Sequence, residues 1–324
     1  MISVIKIILV FVLLIILMRK KWPLGLAMLA GSLVLGLVFK MPFTSIVRTM
    51  IEGIIEKTTL ELGGVLILIL ILSKILQETG QLRRTVEKLK IIVKDSRLIL
   101  AGAPAMIGLL PMPGGAIFSA PMVELAEETA HKLDPLKRTF INHWFRHIWE
   151  YIFPLYPGLI LAAKMAEVEL QQMALVQLPM TIIAVIVGII FGLLPVPLTE
   201  KKDLDNKQSQ TKIKTKVFWS NLRGLIIDTL PISLVIILTL GFKVPILYSL
   251  GVSIVMALIM NKIKPGSFCR LIDKKACLNA FILIAGIMVF RRMIEASGSM
   301  EEITDSFITY QVPVLVLIMG LPFL

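Results

Sequence analysis

The chain has 324 residues, of which 56% are hydrophobic and 17% are charged, and its formal net charge is +12. Soluble globular domains carry about 25% charged residues, so this composition excludes an ordinary soluble protein, and its hydrophobicity excludes a disordered chain. Positive charge on such a chain is typical of cytoplasmic membrane loops, and because no aromatic residues alternate with the basic clusters, nucleic acid is excluded as a partner.

The first apolar run, residues 2–18, resembles a signal peptide in length only. Arg19, Lys20 and Lys21 follow the run, whereas a signal peptide carries its charge before the run and a small-residue cleavage site after it. We therefore predict an uncleaved first span. Residues 43–59 are amphipathic and predict an interfacial helix. The further apolar runs lie at residues 22–39, 62–76, 98–125, 140–163, 174–196, 222–242, 244–260, 278–294 and 312–324.

The run at residues 98–125 determines the predicted topology. It contains Pro111, Pro113, Gly114, Gly115 and Pro121, so it is either one broken span or a hairpin that enters and leaves on the same side. With the hairpin, most of the 34 Lys and Arg residues fall on the cytoplasmic side. A single span would instead place the basic segment 201–223 outside, against the positive-inside rule. The charges therefore favour a re-entrant hairpin over residues 97–128.

Two similar segments indicate an internal repeat. The segment from Lys74 to Gly80 and the segment from Arg292 to Gly298 share their residue classes except at Glu78 and Ala296, and a constant 218 positions separate them. Pro23 and Pro245 lie 222 positions apart, at nearly the same offset. Basic residues follow Gly80, whereas acidic residues follow Gly298. One copy should therefore end inside and the other outside, which predicts an inverted-topology repeat.

The predicted fold is an all-α polytopic membrane protein with inverted-topology repeats, a re-entrant helical hairpin and a broken helix. The first repeat covers residues 1–197, with the hairpin at 97–128 and the broken helix at 139–163. A polar, Lys-rich cytoplasmic linker covers residues 198–216, and the second repeat covers 217–324. The final apolar run would cover about 20 Å of a hydrocarbon core of about 30 Å, so we expect the second repeat to be incomplete.

The segment from Gly108 to Pro121, followed by Asn142 to Glu150, resembles a known family. It looks like an uncharacterised integral membrane family, domain of unknown function number four-zero-one, and more distantly like the gluconate and citrate permeases of the ion transporter superfamily. The resemblance implies two inverted repeats, each with a re-entrant hairpin and a broken helix that meet near the middle of the membrane. The C-terminus departs from this pattern.

Two backbone features predict a substrate site. At the hairpin turn, Gly114 and Gly115 would let an anion reach the free N–H groups of a helix N-terminus; the alternative is a tight structural turn. The second feature is a proline-rich break in the following span, where unwound backbone can bind Na⁺ or substrate; the alternative is a plain kink. The predicted substrate-binding residues are Pro111, Met112, Pro113, Gly114, Gly115, Ser119, Asn142, Arg146, Pro154, Tyr156, Pro157 and Gly158.

His143, His147 and Glu150 recur at the spacing of one helical face. Ionisable residues inside a span are costly, so a functional role is the first hypothesis. The favoured role is proton coupling, since histidine titrates near neutrality. The alternatives are an anion clamp that uses Arg146, a metal site, and a solvated structural cluster.

The predicted function is secondary active transport of a small anion, possibly a carboxylate, coupled to H⁺ or Na⁺. We expect a multi-pass protein of the cytoplasmic (inner) membrane, with no enzymatic activity, no cofactor and no resident metal. Its expected partners are the anionic solute, the coupling ion and the lipid bilayer, and a homodimer is an open alternative. The two rival functions are a non-transporting membrane subunit, or truncated homologue, and an intramembrane metallohydrolase.

Overall fold

The computed structural model describes residues 2–93, 95–109, 119–120, 123, 133–196 and 210–299. All regular secondary structure of these residues is helical. Four helical segments are long and apolar enough to cross a membrane, and three shorter helices are also apolar. The prediction of an all-helical membrane protein is therefore confirmed. The four long segments are Lys57–Glu78, Leu170–Leu193, Val217–Gly241 and Lys274–Ala296.

The helices are numbered in chain order. The first six are α1 (Ile2–Arg19), α2 (Leu24–Val38), α3 (Phe43–Ile55), α4 (Lys57–Glu78), α5 (Gln81–Ile92) and α6 (Ser96–Gly108). The others are α7 (Pro135–His147), α8 (Pro157–Met165), α9 (Leu170–Val187), α10 (Gln210–Ile236), α11 (Ile246–Met260), α12 (Pro265–Leu271) and α13 (Lys274–Ala296). Helix α9 continues as π-helix over Gly188–Leu193, and α10 continues as π-helix over Ile237–Gly241.

The chain forms two compact units, Met1–Gly64 with Lys274–Leu324, and Val65–Asp273. In the first unit, α13 packs against α2 and α3. A Cβ added to Gly25 would lie only 2.4 Å from the carbonyl oxygen of Ile282, so α2 and α13 are close because this position has no side chain. At the end of α13, Arg292 donates hydrogen bonds to Glu52 (2.8 Å) and Glu56 (3.2 Å). The Glu52 carboxyl also accepts from Arg48, and this hydrogen bond, with smaller contributions from both guanidinium charges, lowers its pKa.

The second unit contains the predicted hairpin and broken helix, and the local sequence explains where its helices begin. Asp95 caps α6, because its carboxylate accepts from the backbone N–H of Arg97 at 2.8 Å. Asp134 caps α7 in the same way, accepting from the N–H of Leu136 at 3.1 Å. Pro135 occupies the first position of α7, where its missing N–H is not needed.

Helices α6 and α7 begin at the same end of the second unit. Arg97, near the start of α6, donates to the carbonyl oxygens of Val196 (2.6 Å) and Leu194 (3.3 Å), just beyond the π-helix. Lys137, near the start of α7, donates to the carbonyl oxygen of Phe191. The other end of α9 is marked by a 3.0 Å ion pair between Glu169 and Lys243. Helices α6 and α7 therefore run in the same direction, and α9 runs against them.

Equivalent backbone conformations recur at the spacing predicted for the repeat. Gly80 and Gly298 both have φ of +68°. Non-glycine residues rarely adopt positive φ, yet Lys21 (63°) and Lys243 (55°) do so 222 positions apart, as do Lys40 (57°) and Lys262 (52°). The cap Pro23 of α2 (φ −56°, ψ 135°) likewise matches the cap Pro245 of α11 (φ −53°, ψ 133°). Helices α2 and α11 are both 15 residues long.

Candidate functional site

The ends of α6 and α7 meet at the centre of the candidate site. A Cβ added to Gly108 would lie 2.1 Å from the carbonyl oxygen of Arg146, so only glycine permits this approach of the two backbones. Each helix has 13 residues, which corresponds to about 20 Å. Since a hydrocarbon core is about 30 Å thick, helices of this length that begin at one face would end inside the membrane.

Arg146 is buried, with 6% of its surface exposed, on the face of α7 that carries Ile141, Asn142 and Phe145. Its Nη1 lies 3.4 Å from Nε2 of His147. A buried guanidinium is rare unless it has counter-charges or polar partners. Arg146 therefore places a positive charge on the buried face of α7, close to His147.

Ser119 and Asn142, two of the predicted substrate-binding residues, are in contact. Both are buried, and the Ser119 hydroxyl donates to Oδ1 of Asn142 at 2.5 Å. This bond links the predicted hairpin segment to the middle of α7. The remaining predicted hairpin residues, Pro111, Met112, Pro113, Gly114 and Gly115, lie outside the described residues.

The two histidines and Glu150 are close together, on the exposed side of the site. The rings of His143 and His147 have centroids 4.4 Å apart, and Nδ1 of His147 lies 2.5 Å from Oε1 of Glu150. Glu150 follows the end of α7, so its contact with His147 is made across a turn and not along a continuous helix. His143 is exposed, whereas Asn142 and Arg146 occupy the buried face.

These three side chains do not form a recognisable metal site. Within the part of the chain that the structure describes, no group of three His, Cys, Asp or Glu residues is arranged to hold a metal ion.

The chain leaves helical geometry between His147 and Pro157, inside the predicted broken segment. Tyr156 has an extended conformation and precedes α8, and Pro157 is the first residue of that helix. Pro154 and Tyr156 are buried, whereas Gly158 is exposed and a Cβ added there would meet open space. The space beside Gly158, at the second position of α8, is therefore open.

Two aromatic side chains connect this break to α6. The Tyr156 hydroxyl donates to the carbonyl oxygen of Gly108 at 2.7 Å, and Nε1 of Trp149 donates to the carbonyl oxygen of Ala105 at 2.9 Å. Both carbonyls belong to the last turn of α6, where the helix itself supplies no donor. The sequence predicted Tyr156 as a ligand and did not single out Trp149. The only sequence signal was its position beside the proline-rich break.

A third aromatic residue sets the rotation of α7. Nε1 of Trp144 donates to the carbonyl oxygen of Ala184 in α9 at 2.8 Å. A Cβ at Gly188 would lie 2.6 Å from the Trp144 ring, so the glycine provides the space for this contact. The contact between α7 and α9 thus decides which face of α7 is buried and places Arg146 inside.

The chain matches, over residues 1–324, the model of a family described as Protein of unknown function (DUF401). No curated protein matches it. The match includes the helix ends, the buried arginine and the proline-rich break described above. The chain therefore belongs to the DUF401 family.

Proposed function

We propose that this protein is a secondary active transporter of a small anion, with a carboxylate as the favoured class, in the cytoplasmic membrane. The observation that carries the proposal is the buried Arg146, at the point where two half-length helices end against each other. A buried charge inside an apolar membrane protein is costly and marks a functional site by default. Its sign selects an anionic solute.

The anion would lie between Arg146 and the start of α8. Guanidinium groups bind carboxylates through two parallel hydrogen bonds. The N-terminus of α8 adds the N–H groups of Gly158 and Leu159 and the positive end of a helix dipole, and a Cβ placed at Gly158 would meet open space. Asn142 lies on the same buried face of α7 as Arg146, and Asn142 and its hydrogen-bonded partner Ser119 supply further polar groups.

Coupling to H⁺ is assigned to His143, His147 and Glu150. Nδ1 of His147 lies 2.5 Å from Oε1 of Glu150, and the His143 ring is adjacent, so the three groups are close enough to pass a proton in this proposal. Coupling to Na⁺ is the alternative, with carbonyl oxygens freed at the Pro154–Gly158 break as ligands. Loss of gradient-driven accumulation in a histidine variant separates the two.

A re-entrant hairpin over residues 97–128 fits the direction of the helices around it. Helices α6 and α7 begin at the same end and run in parallel, as two helices on either side of such a hairpin would. Backbone at such depth is tolerated where protein or a water-filled cavity covers it. This arrangement supports alternating access by movement of the hairpin and the broken helix.

The inverted repeat is also part of the proposal. The paired positive-φ residues at Gly80 and Gly298, and at Lys21 and Lys243, support two copies of a four-helix unit. The basic residues after Gly80 and the acidic residues after Gly298 support opposite orientations of the copies. Both observations support the proposed multi-pass topology.

Ligand binding tests the proposal without a transport assay. Purified protein in nanodiscs is titrated with acetate, lactate, succinate, citrate, gluconate and phosphate, and the shift in melting temperature is recorded. We expect at least one of these anions to stabilise the wild type, since a ligand that binds the folded state raises its stability. The Arg146→Gln variant should lose that shift, whereas Arg97→Gln, whose arginine binds carbonyls at the end of α9, should keep it. Equal shifts in both variants would contradict an anion site at Arg146.

A further inference from the structure

A second buried charge lies away from the candidate site, in the same unit. Asp228 is 8% exposed and sits within the apolar segment Val217–Gly241. Acidic residues in such segments face protein or water and mark functional positions by default. The proposed transport site makes no use of it.

The charge of Asp228 is balanced by helix α5. Lys88 donates directly to its Oδ2, and Nε of Arg84 lies 3.7 Å from its Oδ1. A Cβ at Gly224, one turn earlier in α10, would lie 2.8 Å from Nζ of Lys88, so this glycine provides the space that the lysine occupies. The contact thus depends on Lys88 in α5 and on both Asp228 and Gly224 in α10.

Polar bonds extend this contact to α11. Gln81, which is 1% exposed, donates to the backbone oxygen of Asp228 at 2.6 Å. Asn261, at the end of α11, donates in turn to Oε1 of Gln81 at 2.9 Å. The three helices α5, α10 and α11 are therefore joined by one network at this point.

Helix α5 is a short helix of 12 residues with a change of chain direction at each end. Gly80 before it has φ of +68°, and Val93 after it is extended, with φ of −89° and ψ of 126°. The next helix, α6, ends at Gly108, against the carbonyl oxygen of Arg146 and the hydroxyl of Tyr156. Val86 of α5 packs against Ala103 and Ile107 near the end of α6, so a displacement of α5 would reach the candidate site through this contact.

Burying the carboxylate of Asp228 costs free energy that its attraction to Lys88, which is 24% exposed, often fails to repay. This ion pair is therefore weak evidence for stability, and our hypothesis is that it selects one specific arrangement of the helices. We propose that Lys88 and Asp228 form a latch that holds α5 on α10 and opens when α6 moves. The closed latch fixes α6 against α7. The role of the latch in access to Arg146 rests on the proposed transport function. The opening of the latch can be tested independently of that function.

Distance measurements by electron spin resonance test the latch without any solute. Cys269 and Cys277 are replaced by serine, and spin labels are attached at Ile91 of α5 and Val252 of α11, which are 56% and 52% exposed. The full-length protein is measured in nanodiscs. The latch variants are Lys88→Gln and Asp228→Asn. Arg83→Gln is the matched control, because Arg83 lies on the same helix and pairs with exposed Glu87 instead.

We expect a longer-distance population to appear in both latch variants and not in the control. Amide hydrogen exchange in residues 96–108 should rise in parallel, since α6 loses its fixed support. The double variant Lys88→Asp with Asp228→Lys should restore the wild-type distance, which a variant that merely misfolds would not do. A wild-type distance distribution in the folded single variants, or failure of the charge swap to restore it, would overturn the latch. If the wild type binds none of the tested anions but the latch variants still show the longer distance, only the transport proposal is contradicted.

Discussion

The hydroxyl of Tyr156 donates a hydrogen bond of 2.7 Å to the carbonyl oxygen of Gly108. This bond joins the break before α8 to the last residue of α6, two positions that are 48 residues apart in the sequence. Because the carbonyl has no donor within its own helix, the position of α6 relative to the broken helix depends on this side chain.

Removing that hydroxyl should therefore destabilise the protein. A buried acceptor left without its donor costs about 1–3 kcal/mol, so Tyr156→Phe should lower the melting temperature of the purified protein. Tyr151→Phe is the matched control, since Tyr151 is 43% exposed and should change little. Equal melting temperatures of the Tyr156→Phe variant and the wild type would show that the bond contributes nothing to the fold.

Substitutions at Gly80 and Gly298 test whether the two copies of the proposed repeat share the same left-handed turn. An L-residue with a side chain pays about 1–2 kcal/mol in left-handed geometry, and nothing crowds a Cβ at Gly298. We expect Gly80→Ala and Gly298→Ala to lower the melting temperature by similar amounts.

Gly251 supplies the opposite expectation as a control. It lies inside α11, where a Cβ would meet open space, and glycine in a helix interior costs up to about 1 kcal/mol relative to alanine. Gly251→Ala should raise the melting temperature. If alanine at Gly80 or Gly298 also raised it, the shared left-handed turns would be excluded.

The orientation of the second unit can be tested by thiol labelling. We expect the end that carries the starts of α6 and α7 to face the cytoplasm, and the end with Glu169 and Lys243 to face outward. In a cysteine-free background and intact cells, an impermeant maleimide should label Glu167→Cys but not Leu136→Cys, although Leu136 is 80% exposed. A cysteine at Ser209 should resist the reagent as well. Labelling of Leu136→Cys or Ser209→Cys before cell lysis would reverse the proposed topology.

The sequence predicted the breaks in the helices better than the contacts between them. Prolines act locally, so Pro154 and Pro157 identified the interruption after α7. Gly80 and Gly298 were paired by sequence alone, and the two residues share the same φ.

Contacts between helices were not accessible in the same way. Lys88 and Asp228 are 140 residues apart, and nothing in either local pattern indicates the other, although an acid in an apolar run was a signal. The rotation of α7 depends on Trp144 against Gly188, so the spacing of His143, His147 and Glu150 could not reveal that Asn142 and Arg146 occupy the buried face.

His147 is the residue expected to carry coupling. Its Nδ1 lies 2.5 Å from Oε1 of Glu150, and in the proposed mechanism a proton taken up here from one side of the membrane is released to the other as access changes. In proteoliposomes, His147→Gln should keep solute exchange but lose accumulation driven by a proton gradient. The His143→Gln variant should have the smaller effect, because the described contact of the His143 ring is with His147 and not with Glu150. Unchanged accumulation in His147→Gln would favour Na⁺ at the Pro154–Gly158 break.

Transport itself can be measured directly as electrical current. Proteoliposomes on a solid-supported membrane are exposed to concentration jumps of acetate, lactate, succinate, citrate, gluconate and phosphate, with and without a gradient of H⁺ or Na⁺. We predict a current with at least one carboxylate that disappears in Arg146→Gln and is partly retained in Arg146→Lys, because lysine keeps the charge without the bidentate geometry. A carboxylate current of the same size in wild type and Arg146→Gln, or currents no larger than those of empty liposomes for every anion and either gradient, would contradict anion transport at this site.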